Sequence, residues 1–224
     1  MIGLCEKYGC EAAQCGYEKG SGDEFPPRRK RYSERAAESK KALLGYDLRS
    51  FACAKIYRRS VLSGIRFPGN VWNEDEFTTY RAVYKCKKIA FAKEPLYYYF
   101  QRSGSIMDDI AKKLRDNPHR RDWLAAYDER CRFFEVRGMK EQLLRTREKI
   151  CSDIILRYSE QMRLPPEERD RDCTGGKYLE IYRQNYKSMI MRRGMPPLKR
   201  IIYTVFRAAP QSAVLAGCLF ALRK

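Results

Sequence analysis

The sequence predicts an α/β first part followed by a mostly α-helical region, and three observations support that fold class. Residues 11–17 (EAAQCGY) form a short apolar run that suits a buried strand. Residues 74–87 suit a helix, since aromatic residues recur there at helical spacing. From about 118 to 193 the apolar spacing changes to three successive helical patterns.

The remaining elements of the first part are assigned from local patterns. Phe77, Tyr80 and Tyr84 are predicted to form the buried stripe of the 74–87 helix. The other predicted elements are the end of a helix at 1–9, a helix at 33–45, a helical or turn segment at 48–57, and two short strands at 89–92 and 96–100 separated by Glu94-Pro95.

The second part divides by the same reasoning. Its second helical pattern is expected to stop before Pro165-Pro166, because proline cannot continue a helix. We predict three regions: an α/β region at 1–107, a helical extension at 108–197 and a basic amphipathic segment at 198–224.

Charge is the outstanding feature of the composition. The 224 residues include 46 Lys and Arg against 28 Asp and Glu, a formal net charge of +18. Such a surface attracts polyanions, which include nucleic acid, anionic lipid headgroups and phosphorylated small molecules. The densest basic cluster, Arg28-Arg29-Lys30-Arg31, suits either a nucleic-acid patch or a solvated loop.

The nine cysteines do not suggest a metal site or a disulfide framework. No Cys-x-x-Cys pair is present and His119 is the only histidine, which disfavours a structural zinc site. The first residues lack the apolar core of a secretory signal peptide. We therefore predict reduced, mostly buried cysteines in a cytoplasmic protein.

The last segment, 198–224, alternates basic and apolar residues. Residues 208–222 are too few, and too interrupted by Pro210 and Gln211, to cross a membrane. Two interpretations remain open: an amphipathic anchor in the headgroup plane of the inner face of the cell membrane, or a helix that closes the domain.

The acidic cluster Glu74-Asp75-Glu76 also permits two interpretations. Asn73 as N-cap with Glu76 three residues later matches a capping box, and carboxylates in a first turn favour the helix dipole. Helix initiation therefore explains the cluster without any catalytic role. Paired carboxylates can equally serve as a general base for a hydroxyl group.

Three motifs lie between Phe51 and Met107: Glu74-Asp75 after a Phe-Pro-Gly turn, the AKIYRR segment that contains Lys55, and the YYYFQRSGSIM ending. With these motifs the stretch resembles the acceptor-side half of a family 2 glycosyltransferase, the inverting GT-A type of bacterial polysaccharide synthesis. Residues 5–17 also resemble a strand of that family. The resemblance implies a partial GT-A-like fold, the acceptor-side half of a Rossmann-like sheet.

The resemblance also implies a mechanism and roles for particular residues. Asp75 would accept the proton of the acceptor hydroxyl, and Glu74 and Glu76 would tune its position or pKa. Lys55 would bind substrate, and Arg102, Ser103 and Ser105 would reach donor phosphates or acceptor from the loop after a strand. The transferred sugar would come from a nucleotide-sugar and pass to a surface polysaccharide or other glycan.

The donor half expected of the family is not found in this sequence. Its metal-binding Asp-x-Asp has one literal match, Asp170-Arg171-Asp172, which lies at the wrong place and is predicted to be a solvated acidic loop. A divalent cation, Mn²⁺ or Mg²⁺, is expected for the intact family enzyme. We therefore expect a truncated or split enzyme that alone binds nucleotide-sugar weakly and has poor solubility.

A non-enzymatic alternative remains open. The chain would then be a basic binding protein for a membrane surface or nucleic acid, built on a glycosyltransferase remnant, with nucleic acid the less favoured partner. A salt-sensitive interaction that does not depend on Asp75 would distinguish it from the enzyme.

Overall fold

The computed structural model describes residues 1–21, 32–45, 47–102 and 118–214. The chain divides into two compact units, Met1–Lys112 and Lys113–Lys224. The described residues form an α/β protein with a small mixed sheet in the first unit and helices in both.

The first unit is built on a four-stranded sheet with strand order β2-β4-β1-β3. Strands β1 and β4 are parallel, and the two outer strands pair antiparallel to them. The elements are α1 (Ile2–Tyr8), β1 (Ala12–Gly20), β2 (Glu34–Glu38), α2 (Ser39–Ala42), β3 (Lys55–Tyr57), α3 (Glu74–Lys85) and β4 (Lys88–Phe100).

Both faces of the central strand pair are buried near the start of β1 and β4, which explains the apolar run of β1. Because side chains alternate along a strand, Ala12 and Ala13 enter different clusters. Ala12 packs in the cluster that contains Val83 of α3, and Ala13 packs with Leu4 of α1. The predicted strand at 11–17 and the helix at 1–9 are thereby confirmed, and a helix covers each face of the sheet.

Two short strands were predicted at 89–92 and 96–100, but the structure has one continuous strand, β4. Pro95 lies opposite Gly16, where the register between β1 and β4 shifts. Proline removes a ladder donor and is tolerated at such a bulge. A Cβ on Gly16 would lie 2.4 Å from the Lys93 carbonyl oxygen, so glycine permits the close approach.

The prediction of one helix over residues 33–45 is wrong. The segment forms β2, which pairs antiparallel with β4, and then the single turn α2. The helix propensity of this segment is outweighed by tertiary contacts that the strand makes. The Arg35 guanidinium lies 4.6 Å from the centre of the Phe91 ring on β4 and also pairs with Asp47. The segment 48–57, predicted as helix or turn, ends instead in the strand β3.

The helix predicted at 74–87 is confirmed as α3, but its predicted buried stripe is only partly right. Tyr80 is buried, whereas Phe77 and Tyr84 are half-buried. The small residues Ala82 and Val83 face the sheet instead, because close packing of a helix on a sheet favours small and β-branched side chains there.

The second unit is helical within its described residues. The helices are α4 (Asp122–Glu135), α5 (Lys140–Met162), α6 (Arg171–Thr174), α7 (Lys177–Met189) and α8 (Pro197–Ala208). The three predicted helical patterns are therefore confirmed as α4, α5 and α7, and α5 ends before Pro165-Pro166 as expected. Aromatic residues of α4, α7 and α8 form much of the core: Trp123, Tyr127, Tyr178, Tyr182, Tyr186, Tyr203 and Phe206.

The prediction of a solvated loop at Asp170-Arg171-Asp172 is wrong for both aspartates. Asp170 and Asp172 are 3% and 5% exposed. Asp170 caps α6 and accepts a hydrogen bond from the Tyr178 hydroxyl at 2.8 Å. Asp172 pairs with Arg121, which holds the pKa of that carboxyl below its usual range. These buried carboxylates are thus held by a helix cap, a tyrosine hydroxyl and arginines of the helical unit.

The start of the segment 198–224 is the helix α8, which lies against the helical core. Ile202, Tyr203 and Phe206 are buried there, in agreement with the docking interpretation for this face of the helix. Across the described ranges, no helix combines the length and apolar character needed to span a membrane. The eight cysteines with described positions are unpaired, and five of them are buried.

Candidate functional site

Glu74 and Asp75 open α3, as the sequence predicted, but the capping box does not form. Asn73 adopts the left-handed conformation, with φ 60°, and its side chain makes no capping hydrogen bond. An N-cap side chain reaches the first turn from an extended backbone, which Asn73 lacks. The Asn73 carbonyl accepts a hydrogen bond from the Glu76 backbone N–H at 2.9 Å. The Asn73 half of the capping box is therefore missing, whereas the three carboxylates still lie in the first turn of α3, where they favour the helix dipole.

Asp75 is half-buried, whereas Glu74 is exposed. Burial raises the pKa of the Asp75 carboxyl, and the neighbouring charges of Glu76 and Glu74 raise it further. The Glu76 backbone N–H and the charge of Lys55 oppose that rise. A carboxylate with a raised pKa binds a proton more readily, which is the property a general base requires.

Lys55 lies at the start of β3, opposite Gln14 of β1. Its ammonium group donates a hydrogen bond to the Phe51 carbonyl. Burial lowers the pKa of Lys55 to about 8, while the charge of Asp75 acts in the opposite direction. The pKa values of Lys55 and Asp75 thus shift towards each other, a pattern that is enriched at functional sites.

The segment preceding Lys55, residues 47–54, is called the site loop below. From β1, the buried amide of Gln14 donates to the Asp47 carbonyl at 2.6 Å and accepts from the Arg49 backbone N–H at 3.0 Å. From α3, the buried hydroxyl of Thr79 donates to the Ser50 carbonyl. Thr79 follows Asp75 by one helical turn, so Asp75 is carried on the face of α3 that meets this loop.

The end of the site loop has an unusual backbone conformation. Ala54 is buried and has φ 57°, a region that costs a residue with a side chain about 1–2 kcal/mol. The Ala54 carbonyl accepts a hydrogen bond from the Cys15 backbone N–H at 2.9 Å, which holds the conformation in place. Strain of this kind immediately before Lys55 is consistent with a functional position.

Arg49 is a candidate site residue that the sequence pattern did not reveal. Its guanidinium carbon lies 4.8 Å from the centre of the Tyr17 ring, and its charge contributes to the lowered pKa of Lys55. Its Nη1 atom is buried and has no hydrogen-bond partner among the described residues. A buried guanidinium nitrogen without a partner is costly, and an anionic ligand would satisfy it.

Three aromatic rings border the same loop and are called the aromatic platform: Tyr17, Phe51 and Tyr99. The Tyr17 ring centre is 5.9 Å from that of Phe51 and 6.3 Å from that of Tyr99. The Lys19 ammonium lies 6.0 Å from the rings of both tyrosines. Phe51 remains 43% exposed, so part of the platform is open to a ligand. The aromatic run at 97–100 is visible in the sequence, but the sequence does not show that Tyr99 lies beside Tyr17 of β1.

The other predicted binding residues are not brought to Asp75 by the described structure. Arg102 is exposed two residues beyond the end of β4, and no contact joins it to Lys55 or Asp75 within the described ranges. Ser103 and Ser105 lie outside the described residues, as do Arg28 to Lys30 and Arg31. Their roles remain predictions from the resemblance.

A metal-binding cluster was not predicted for this chain. Among the described residues, no three or more His, Cys, Asp or Glu side chains are grouped so that they could hold a metal ion. The divalent cation expected for the intact family enzyme therefore stays a prediction, and no residue of the described site is assigned to it.

The fold and the site define an α/β protein with a carboxylate and a lysine of shifted pKa beside an aromatic and cationic surface. Sequence comparison adds a glycosyltransferase-like relationship. Part of the chain is similar to the "Putative glycosyltransferase EpsH" of Bacillus subtilis (strain 168), with 32% identity over 107 residues. The match covers 46% of this chain and 30% of the length of that relative. No protein-family model matches the chain.

Proposed function

We propose that this chain is the acceptor-side part of an inverting glycosyltransferase of family 2, with a partial GT-A-like fold. It would transfer a sugar from a nucleotide-sugar donor to a surface-polysaccharide or other glycan acceptor. The observation that carries the proposal is Asp75, a half-buried carboxylate of raised pKa at the start of α3 and within electrostatic reach of Lys55. The partial similarity to a glycosyltransferase supports the reaction class.

Asp75 is the proposed general base of a single displacement. The acceptor oxygen forms a bond to the anomeric carbon as its proton passes to the Asp75 carboxylate. The bond from the anomeric carbon to the donor phosphate breaks, and the electron pair leaves with the nucleoside diphosphate. Glu74 and Glu76 raise the proton affinity of Asp75, and Lys55 keeps the carboxylate ionised before the acceptor arrives.

The site loop and the aromatic platform form the proposed acceptor surface. The apolar face of a sugar ring can lie against Tyr17 and Phe51, which supply flat contact area at low entropic cost. Arg49, through its unpartnered Nη1, would bind an anionic or hydroxyl oxygen of the acceptor. An acceptor bound by these residues would place a hydroxyl group near the site loop, which contacts the face of α3 that carries Asp75.

Donor binding is proposed from the resemblance alone. Arg102, Ser103 and Ser105 would contact donor phosphates, and Mn²⁺ or Mg²⁺ would neutralise the diphosphate. The proposed setting is the cytoplasmic face of the cell membrane, where nucleotide-sugars are available to such enzymes.

The proposal is tested by replacing Asp75 with Asn at the chromosomal locus of the source organism. Loss of a general base lowers transfer by about 10²–10⁴-fold, so cell-surface polysaccharide that depends on this gene should fall to the level of a deletion strain. Sugar analysis of washed cells measures the product, and immunoblotting measures the protein.

The matched control is Asp128→Asn, because Asp128 is an exposed aspartate paired only locally with Arg132. That variant should make normal amounts of polysaccharide. Normal polysaccharide in the Asp75→Asn strain, at unchanged protein level, would contradict the assignment of the base. It would favour the non-catalytic binding protein, whose polyanion interaction would be salt-sensitive and independent of Asp75.

A further inference from the structure

Helix α8 has two apolar faces, and only one of them belongs to the core. The inner face carries Ile202, Tyr203 and Phe206, all buried. The outer face carries Leu198, Ile201 and Val205 at positions i, i+3 and i+7, with exposures of 43%, 59% and 46%. Residues at this spacing align on one side of a helix, so they form a continuous stripe. This stripe is called the outer stripe below.

The outer stripe is held in place by buried polar contacts on the inner side of the helix. The buried carboxylate of Glu148 on α5 accepts hydrogen bonds from Lys199 at 3.0 Å and from Arg192 at 3.0 Å. The Tyr203 hydroxyl pairs with Ser152 at 2.7 Å. A helix fixed in this way cannot rotate to bury Ile201, so the exposure of the stripe is a property of the folded unit.

The chain segment that contains the outer stripe carries charges of one sign only. From residue 181 to residue 224 the sequence contains no Asp or Glu and nine Lys or Arg. Arg193, Arg200 and Arg207 are exposed before and along α8. The Arg200 guanidinium donates to the Arg192 carbonyl at 3.1 Å, and that of Arg207 lies 4.9 Å from the Tyr186 ring centre, which fixes their positions. The stripe is therefore apolar, and the exposed arginines before and within α8 are called the flanking arginines, since they precede, interrupt and follow the stripe in sequence.

We propose that α8 binds the surface of an anionic lipid bilayer, with the outer stripe in the headgroup region and the flanking arginines on lipid phosphates. A twelve-residue helix that lies in the interface gains from apolar burial and from attraction to anionic headgroups together. A nucleic-acid backbone would match the cations but offers no apolar environment for Leu198, Ile201 and Val205. The inner face at the same time remains docked, so one helix both closes the unit and contacts the membrane.

The proposal does not depend on the proposed glycosyl transfer, because none of its residues belongs to the candidate site. Its test is sedimentation of the full chain with vesicles of phosphatidylcholine containing about 30% phosphatidylglycerol, against vesicles of phosphatidylcholine alone. The wild-type chain should bind the anionic vesicles at least about tenfold more tightly, and added salt should weaken the binding.

The outer stripe is tested by Val205→Asp, with Val136→Asp as the matched control. Val136 is an exposed valine of the same unit, 78% accessible at the end of α4. The first variant should lower binding by about tenfold or more, and the second should leave it unchanged. Ile201→Gln, which adds no charge, should also weaken binding. Thermal unfolding followed by circular dichroism checks that all variants fold.

Three results would overturn the proposal. Equal binding to neutral and anionic vesicles would exclude the role of the arginines. Equal binding by the Val205→Asp and Val136→Asp variants would show that the stripe does not enter the bilayer. Salt-sensitive binding to double-stranded DNA that survives Val205→Asp, with no vesicle binding by the wild-type chain, would assign the basic surface to nucleic acid instead.

Discussion

Replacing Lys55 with Met should stabilise the protein while it impairs the proposed function. The pKa of Lys55 falls from an ordinary 10.5 to about 8, and the largest cause is burial. Each pKa unit corresponds to about 1.4 kcal/mol, so the charged form costs on the order of 3 kcal/mol of folding free energy. The lost hydrogen bond to the Phe51 carbonyl offsets about 1 kcal/mol of that gain. We therefore expect a net stabilisation of roughly 1–3 kcal/mol near pH 7.

The dependence on pH distinguishes this explanation from better packing. Between about pH 8 and pH 10.5 the unfolded chain retains the Lys55 proton, whereas the folded chain has released it. The free energy of unfolding of the wild-type protein therefore increases relative to that of the variant as the pH rises through this window. The advantage of Lys55→Met should be complete near pH 7 and absent above about pH 10.5.

Urea unfolding of both proteins at several pH values measures the difference, and groups that titrate equally in both cancel from it. Lys41→Met is the control, because Lys41 is 76% exposed in its pair with Glu38 and should change stability by less than about 0.5 kcal/mol. A Lys55→Met variant that is less stable than wild type near pH 7, or a difference that does not vary with pH, would refute the reasoning. A strain that carries Lys55→Met at the chromosomal locus should make less polysaccharide if Lys55 keeps the Asp75 carboxylate ionised.

Two further predictions concern stability alone. Glu148→Gln should lower the free energy of unfolding by about 3–5 kcal/mol in urea, because it leaves Arg192, 3% exposed, without its countercharge. Gly16→Ala should destabilise by about 1–3 kcal/mol in the same assay, since the new methyl group would lie 2.4 Å from the Lys93 carbonyl oxygen in the backbone of β4.

Each of these two variants has a control in which the same substitution is made at an exposed position. Glu180→Gln affects only an exposed pair with Lys177 and an exposed hydrogen bond from Gln184, and should cost less than about 1 kcal/mol. Gly3→Ala adds a methyl group on α1 with no neighbour within 4 Å and should not destabilise. If either control lost as much stability as its partner, the burial or the close approach would not be the cause.

Local pattern predicted the helices better than the strands of this chain. Helices α5 and α7 can be predicted from their own sequences, because apolar residues recur there three or four positions apart. Strand β2 was missed because its sequence, ERAAE, favours a helix, and only pairing with β4, more than fifty residues later, makes it a strand. Pro95 suggested a break in β4 because the glycine that accommodates it lies on another strand.

The candidate site shows the same division between local and distant information. Asp75 could be found from its neighbours in sequence, since a cluster of carboxylates at a helix start is visible there. Arg49 could not, because its environment is assembled by Gln14 and Tyr17 of β1. The sequence likewise predicted solvated aspartates at 170 and 172, because it does not show that Arg120 and Arg121, about fifty residues earlier, lie beside Asp172.

The parallel pairing of β1 with β4 also governs how the first unit is made. β1 lies between β3 and β4, and Ala12 pairs in the register of the longer partner β4 with Ile89, 77 residues later in the chain. A ribosome that adds about 5–20 residues each second leaves the apolar start of β1 without that partner for several seconds. Closing so long a loop is also slow compared with forming helices. During synthesis the apolar side chains at the start of β1 therefore stay without their sheet partner until β4 has been made.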